Sequence, residues 1–246
     1  MVGNRIKMFF IIFALSAFII ALLFTSRLIK INTPAKRDYP VRGVDVSAHQ
    51  GRIDWQTLAG QDIDFAFIKA TEGSGFVDRR YYENIRDTLQ TNLRVGSYHF
   101  FSFESPGLSQ ARHFIGVVEA HQNMLPPVVD VEFYGEFFRF PPEKDYVERE
   151  LAAMLEALES HYGMRPIIYV TSRAYKAYIE GGFADYDIWI RDVYFKPRLE
   201  ENRSWTFWQY TDRAELNGYD GDERFIDLNV FYGGYEEFCQ YGNGSR

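Results

Sequence analysis

The segment "PPVVDVEFYG" (residues 126–135) has the pattern of a buried β-strand, because two prolines precede a valine-rich run and a Phe-Tyr-Gly sequence ends it. Two acidic residues, Asp130 and Glu132, interrupt this run and are separated by a single valine. Side chains alternate along a strand, so both carboxylates face the same side with their Cα atoms about 6.6 Å apart. Burying two like charges this close together is costly and raises the pKa of at least one of them. The pair therefore needs an explanation beyond packing.

Seven further segments after residue 40 have strand patterns and are bounded by turn residues. Together with the first, they span residues 41–47, 64–70, 93–101, 126–132, 165–170, 186–191, 205–210 and 225–231. Most of them are continuous apolar runs, which are typical of parallel strands covered on both faces.

Helix-length segments separate the first strands. The clearest covers residues 143–162, where apolar side chains recur at helical spacing and Gly163 can end the helix. Beyond residue 191 the intervals have no amphipathic pattern. This order predicts an α/β protein with a single modified TIM-type barrel, made of five β/α units followed by three β-strands. An open, doubly wound sheet is the alternative.

Polar side chains lie near the ends of the predicted strands, where a core does not need them. They include Asp45, Tyr98, Asp130, Glu132, Tyr169, Arg191, Gln209 and Asp227. In a β/α barrel the carboxyl ends of the strands converge on one mouth, which is where active sites are found. We therefore expect these side chains to meet there.

Paired carboxyl groups suit the cleavage of a glycosidic bond, which needs a proton donor for the leaving oxygen. Salt bridges to arginines and a metal site are the alternative explanations of Asp130 and Glu132. The five histidines show no close pair of metal ligands, so we expect neither a metal nor another cofactor.

Residues 1–24 predict a membrane anchor or signal segment that precedes the fold. The run of residues 8–24 is apolar and uncharged, and Arg5 and Lys7 precede it. An anchor is favoured over a signal peptide, because the sequence "LLFTSRL" offers no small-residue cleavage site. Residues 25–40 then form a polar linker, and residues 41–246 form the barrel.

The net charge of the chain is -7, although basic residues dominate the N-terminal segment. An acidic body argues against nucleic acid as a partner. The single cysteine, Cys239, excludes an internal disulfide. We expect a monomer.

Seven motifs, taken in order, resemble those of the family-25 glycoside hydrolases, the muramidase type of lysozyme. They are "GVDVSAHQGRIDW" (43–55), "FAFIKATEG" (65–73), "GSYHFF" (96–101), "PPVVDVE" (126–132), "RPIIYV" (165–170), "FWQYT" (207–211) and "FIDLNVF" (225–231). The resemblance implies hydrolysis of the β-1,4 bond between N-acetylmuramic acid and N-acetylglucosamine in peptidoglycan. It thereby implies a barrel outside the cytoplasm, either anchored to the membrane or exported.

The resemblance also assigns roles to single residues. Glu132 corresponds to the general acid/base and Asp130 to its partner, which holds the acetamido group of the substrate. The further acids at the mouth and the substrate contacts correspond to Asp45, Asp227, Tyr98, Tyr169 and Gln209. Arg191 stands where the family often has a small residue, so we expect it to form a salt bridge with a catalytic acid or to contact the glycan.

Two questions stay open in the sequence. The spacing of the carboxyl groups permits inversion or retention, and the resemblance points to retention with participation of the substrate acetamido group. The alternative functions are a wall-binding protein on an inactive barrel and a hydrolase of another acetamido-glycan.

Overall fold

The computed structural model describes residues 2–25, 32–200 and 203–242. The chain divides into two compact units, the first ending at residue 33 and the second beginning at residue 34. The first unit contains helix α1 (Val2–Thr25). The second unit, from residue 34 onward, contains all the remaining helices and strands.

The prediction of a membrane anchor in residues 1–24 is not confirmed. Among the described residues, no helix combines the length and the apolar character that crossing a membrane requires.

The linker predicted for residues 25–40 remains a prediction. Residues 26–31 lie outside the described part of the chain, and the last residues of the segment belong to the barrel unit. Tyr39 is 8% exposed, and its ring centroid lies 5.7 Å from that of Trp205 and 6.1 Å from that of Trp208. These contacts bury Tyr39, although its neighbours in the sequence are mostly polar and are typical of a linker.

All eight predicted strands are present, and each agrees with its prediction to within a few residues. They are β1 (Arg42–Val46), β2 (Phe65–Glu72), β4 (Arg94–Phe100), β5 (Val128–Val131), β6 (Ile167–Thr171), β7 (Asp187–Arg191), β8 (Phe207–Ala214) and β9 (Ile226–Phe231). A short strand, β3 (Phe76–Val77), pairs with the end of β2. The order β1-β9-β8-β7-β6-β5-β4-β2 is closed by pairing of β1 with β2, so the eight long strands form a barrel.

Strand β9 runs antiparallel to both of its neighbours, whereas the other contacts between barrel strands are parallel. This corrects the expectation that every polar residue at the mouth ends its strand. Asp227 lies at the start of β9 and reaches the mouth because the strand is reversed.

The helices confirm the order of five β/α units. They are α2 (Trp55–Ala59), α3 (Tyr81–Thr88), α4 (Gly107–Val117), α5 (Lys144–Tyr162), and α6 (Ser172–Ala174) continued by a π-helical turn (Tyr175–Ile179). Gly163 ends α5 in the left-handed conformation, with φ of 65°. Within the residues described between β7 and β8 there is no α-helix, as the sequence predicts. A last helix, α7 (Tyr235–Gln240), follows β9.

Two apolar clusters hold the barrel together. One lies between the outer wall of the barrel and the helices, and α5 contributes five fully buried side chains to it: Val147, Leu151, Met154, Leu155 and Leu158. The other fills the barrel interior below the mouth with aromatic rings. Phe67 stacks on Trp189 with ring centroids 4.6 Å apart, and Phe65 meets Phe207 edge-on at 5.2 Å.

Helix α7 closes the bottom of the barrel. The ring of Phe238 lies 5.5 Å from Phe65 and 5.3 Å from Phe231, measured between centroids. Arg94 at the start of β4 fastens this helix, since its guanidinium donates hydrogen bonds to the carbonyl oxygens of Phe238 and Tyr241.

Glycines on the two strands that flank β2 make room for two rings of the barrel floor, those of Phe65 and Phe67. A Cβ atom added at Gly43 would lie 2.3 Å from the ring of Phe65, and one at Gly96 would lie 2.5 Å from the ring of Phe67. Both distances are well below van der Waals contact. The floor therefore depends on these two positions having no side chain.

Replacement of Gly96 by alanine is expected to lower the free energy of unfolding by about 1–3 kcal/mol, because the new methyl group overpacks the ring of Phe67. Chemical denaturation measures the change. Gly75→Ala is the matched control, since no atom lies within 4 Å of its added Cβ atom. An equal stability of the two variants would contradict this account of the floor.

Candidate active site

The barrel brings the predicted polar side chains together at one mouth. Strand register places Asp45 on β1 directly opposite Asp227 on β9. In the same way, Asp130 on β5 is paired with Tyr169 on β6. Paired residues of adjacent strands point to the same side, so these four side chains face one another at the upper end of the barrel.

Gln209 on β8 joins three of the mouth residues. Its Nε2 donates to Oδ1 and Oδ2 of Asp45 at 3.1 and 2.9 Å, and to Oδ2 of Asp227 at 3.1 Å. Its Oε1 accepts a hydrogen bond from the Tyr169 hydroxyl at 3.0 Å. Because Tyr169 donates to the oxygen, the amide N–H groups of Gln209 point towards the two carboxyl groups.

Asn229 supports Asp45 from the other side. Its Nδ2 donates to Oδ2 of Asp45 at 2.7 Å, and its Oδ1 accepts from Nε1 of Trp189 at 2.8 Å. Asn229 is fully buried. The Trp189 ring therefore stacks in the floor and orients an amide of the mouth at the same time.

Gln209 thus binds the carboxyl groups of both Asp45 and Asp227, and Asn229 also binds that of Asp45. Burial raises the pKa of Asp45, and the hydrogen bonds from Asn229 and Gln209 offset part of that rise. Burial and the charge of Asp45 together hold the pKa of Asp227 well above its usual range. Both carboxyl groups lie within 3.1 Å of the same Gln209 Nε2, so the state in which both are ionised is disfavoured.

Asp130 and Glu132 form the second acid pair. Burial raises the pKa of both, and the charge of Glu132 raises that of Asp130 further, well above its usual range. The charge of Arg191 partly offsets the rise at Glu132. Asp130 is 6% exposed, and its Oδ1 has no hydrogen-bond partner among the described residues. The pair thus includes a buried acceptor that no described side chain uses.

A cleft of about 580 Å³ opens over the mouth. Its walls are formed by Glu132, Phe133, Phe138, Tyr169, Thr171, Arg173, Arg191, Gln209, Asp212 and Asp227. Of the four predicted catalytic acids, Glu132 and Asp227 therefore line the cleft, while Asp45 and Asp130 lie deeper. Aromatic rings beside polar groups suit the apolar face and the hydroxyl groups of a sugar ring.

The four predicted substrate contacts differ in position. Tyr169, Gln209 and Arg191 line the cleft, whereas Tyr98 is not part of its wall and packs against the interior cluster. Burial keeps the pKa of Tyr98 and of Tyr169 well above the usual range, so both hydroxyl groups stay neutral. Arg191 forms its salt bridge with Asp212, at 2.6 Å, and not with one of the predicted catalytic acids.

Several neighbours of the site have structural roles. Nζ of Lys69 forms an ion pair with Glu72 at 2.8 Å. His99 is fully buried between Thr71 and Gln110, with hydrogen bonds of 2.7 and 3.0 Å, and burial lowers its pKa to about 4. Nowhere in the described part of the chain do three or more His, Cys, Asp or Glu side chains form a group that could hold a metal ion.

Sequence reasoning missed Asp212, Phe138 and Arg173, which all line the cleft. Asp212 lies on β8 beyond the predicted end of that strand, on a part that extends past the mouth. Phe138 and Arg173 lie in the segments that follow β5 and β6. The signal available was the long aromatic segment after Glu132, which marks one rim of the mouth.

Residues 44–219 match the model of the glycosyl hydrolases family 25. The chain is 34% identical to YegX of Escherichia coli K12 over 221 residues, which is 88% of this chain and 78% of that protein. It is 27% identical to Lysozyme M1 of Streptomyces globisporus, over 83% of this chain and 72% of that one.

Solved structures agree with this match. A family 25 glycosyl hydrolase from Bacillus anthracis is 51% identical and superposes with a TM-score of 0.82, over 86% of this chain and 97% of that one. A lysozyme from Streptomyces coelicolor is 25% identical and gives a TM-score of 0.75, over 83% and 98% of the two chains. The family model covers most of the barrel, from β1 to β8, and the chain belongs to family 25 of the glycosyl hydrolases.

Proposed function

We propose that this glycoside hydrolase cleaves the β-1,4 bond between N-acetylmuramic acid and N-acetylglucosamine in peptidoglycan. The observation that carries the proposal is the second acid pair, with Glu132 on the wall of the cleft and Asp130 buried behind it. Family membership and the similarity to lysozymes from two Streptomyces species support this substrate.

Glu132 is the proton donor in this proposal. It lines the cleft, and burial holds its pKa above the ordinary value, so that it can be protonated close to neutral pH. In this proposal Asp130 carries the proton of the free site, because burial and the charge of Glu132 hold its pKa well above the usual range. Substrate binding must therefore move this proton before the bond breaks.

The free Oδ1 of Asp130 offers a route for that transfer. When the N–H of a substrate acetamido group donates to this oxygen, the ionised form of Asp130 is stabilised. The proton then passes to Glu132, which delivers it to the glycosidic oxygen. The carbonyl oxygen of the same acetamido group attacks the anomeric carbon, and a second displacement by water gives retention.

Asp45 and Asp227 complete the mouth. Held by Gln209 and Asn229, they place negative charge near the positive ring that develops in the transition state. If instead one of these two aspartates activated a water molecule, the product would be inverted. Tyr98, Tyr169, Gln209 and Arg191 are the proposed sugar contacts, and Tyr98 requires a substrate that reaches into the floor of the mouth.

Digestion of purified peptidoglycan tests the proposed function. Mass spectrometry of the new reducing ends should find muramic acid. Glucosamine at those ends would indicate a hydrolase of another acetamido bond, and an absence of cleavage would indicate a wall-binding protein on an inactive barrel.

The barrel of residues 41–246 acts as a single catalytic unit outside the cytoplasm, since peptidoglycan lies there. In this proposal residues 1–24 direct export and the barrel works as a monomer. Cell fractionation with sequencing of the N-terminus locates the protein and shows whether the segment is removed. Recovery of the intact chain only from the cytoplasm would contradict export.

Glu132→Gln is expected to lower kcat by about 100- to 10,000-fold, because general acid catalysis contributes a factor of this size. The rate of release of reducing ends from peptidoglycan measures the effect. Glu136→Gln is the matched control, since Glu136 is an exposed acid of the same rim that does not line the cleft. Wild-type turnover of Glu132→Gln would remove Glu132 from the proposed role.

Asp130→Asn is expected to abolish most activity and to raise the melting temperature at pH 7. The pKa of Asp130 is raised in the folded state, so the folded protein holds this proton more tightly than the unfolded chain does. The proton on Asp130 stabilises the folded protein fully below about pH 3.9, the pKa of an aspartate in the unfolded chain. This stabilisation is lost as the pH rises through the pKa of Asp130 in the folded protein.

The gain in melting temperature of Asp130→Asn over the wild type should therefore grow from pH 4 to pH 7. Calorimetry or circular dichroism at several pH values follows both proteins. If Asp130→Asn were less stable than the wild type across this range, burial of the ionised Asp130 carboxylate would not be destabilising.

The first product released from a short glycan is expected to be the β-anomer. Participation of the acetamido group involves two displacements at the anomeric carbon, and two inversions restore the original configuration. Proton NMR before mutarotation distinguishes the anomers. An initial α-anomer would mean inversion and would assign the base to Asp45 or Asp227.

A further inference from the structure

One wall of the cleft carries an arginine that the proposed reaction does not use. Arg173 follows β6 and is exposed to solvent, and its side chain lines the cleft together with Glu132. The guanidinium carbon lies 4.5 Å from the ring centroid of Phe133, which is 5% exposed and forms part of the same wall. Arg173 therefore packs against the ring of Phe133, which is fixed by its burial.

A second contact orients the guanidinium. Nη2 of Arg173 donates a hydrogen bond of 2.8 Å to the carbonyl oxygen of Phe138, another residue of the cleft wall. An arginine has five N–H donors, so most of them remain available for a ligand. The stacking and the single hydrogen bond reduce the loss of side-chain freedom that binding a ligand would otherwise cause.

The two arginines of the cleft wall differ in whether a carboxylate forms a salt bridge with them. Arg191, the other cation of the wall, forms a salt bridge with Asp212 at 2.6 Å. Arg173 forms no salt bridge with any carboxylate of the described residues. The remaining ionisable groups of the wall, Glu132 and Asp227, are acids and offer an anionic substrate no positive charge.

We infer that Arg173 binds a carboxylate of the substrate and so favours glycans that carry one beside the cleavage site. A guanidinium offers parallel N–H groups that match the two oxygens of a carboxylate. This inference rests on the proposed function, because peptidoglycan is the source of the anionic group. Arg173 is a substrate-binding residue in this role, and it takes no part in proton transfer.

Two groups of peptidoglycan have this chemistry. The stem peptide ends in a free carboxylate and can carry others on its side chains. The lactyl group of muramic acid is a free carboxylate only where no stem peptide is attached, since the peptide is joined to it through an amide. Three soluble glycans separate these sources: one with stem peptides, one with the carboxylates of those peptides amidated, and one from which the peptides have been removed by an amidase.

The test compares KM and kcat of the wild type and Arg173→Gln on the three glycans. KM is expected to rise about tenfold in the variant, with kcat nearly unchanged, on each glycan that carries the bound carboxylate. A rise on the intact glycan that disappears after amidation identifies the stem peptide. A rise confined to the peptide-free glycan identifies the lactyl group.

Arg139→Gln is the matched control. Arg139 also lies over an aromatic ring, that of Phe140 at 5.2 Å, but it does not line the cleft. Its KM should equal that of the wild type on all three glycans. Arg173→Lys keeps the positive charge but lacks the parallel N–H groups of a guanidinium, so its KM is expected to lie between those of the wild type and Arg173→Gln. If Arg173→Gln fails to fold, Arg173→Lys takes its place in the test.

Equal KM values for the wild type and the Arg173 variants on every glycan would overturn the inference and leave the proposed function intact. A rise in KM of the same size on all three glycans, including the amidated one, would also overturn it, because it would show that Arg173 only supports the wall. If the wild type cleaved none of the glycans, the proposed function itself would fail.

Discussion

Four carboxyl groups lie close together and largely buried at the barrel mouth, and most polar contacts of the site follow from this constraint. Burial raises the pKa of all four. Donors from neighbouring strands compensate: Gln209 and Asn229 bind carboxyl oxygens, while Tyr169 and Trp189 orient those two amides. The acids thus occur as two pairs, and the donors hold the carboxyl groups of Asp45 and Asp227 in a fixed arrangement, as preorganised catalysis requires.

The barrel floor and the mouth depend on the same strands. On β8, Phe207 packs among the rings of the floor, and two residues later Gln209 reaches the acids. Trp189 on β7 combines both roles, because its ring stacks on Phe67 while its Nε1 donates to Asn229. A change of volume in the floor would therefore also displace hydrogen-bond donors at the mouth, and the absence of a side chain at Gly96 is part of the geometry of the site.

Apolar runs and turn residues were enough to predict the eight strands, and an acid pair inside a valine-rich strand was enough to indicate the mouth. The direction of β9 was not predictable from its own residues, because an alternating or apolar pattern is the same in both directions. The partner of Arg191 was missed because Asp212 lies on another strand, three residues beyond Gln209, which the register places opposite Arg191. The packing of Tyr39 escaped prediction for a similar reason, because its partners lie more than 160 residues away in the chain.

The position of β9 has a consequence for how the protein is made. This strand pairs with β1, so that Arg42 lies beside Val230, and all other strands are synthesised before it. Until β9 leaves the ribosome, β1 and β8 each have an open edge that other strands can join. Closure of the sheet between such distant segments is slow, and it follows the synthesis of the barrel instead of accompanying it. Until β9 is in place, the open edges of β1 and β8 therefore expose the incomplete barrel to aggregation.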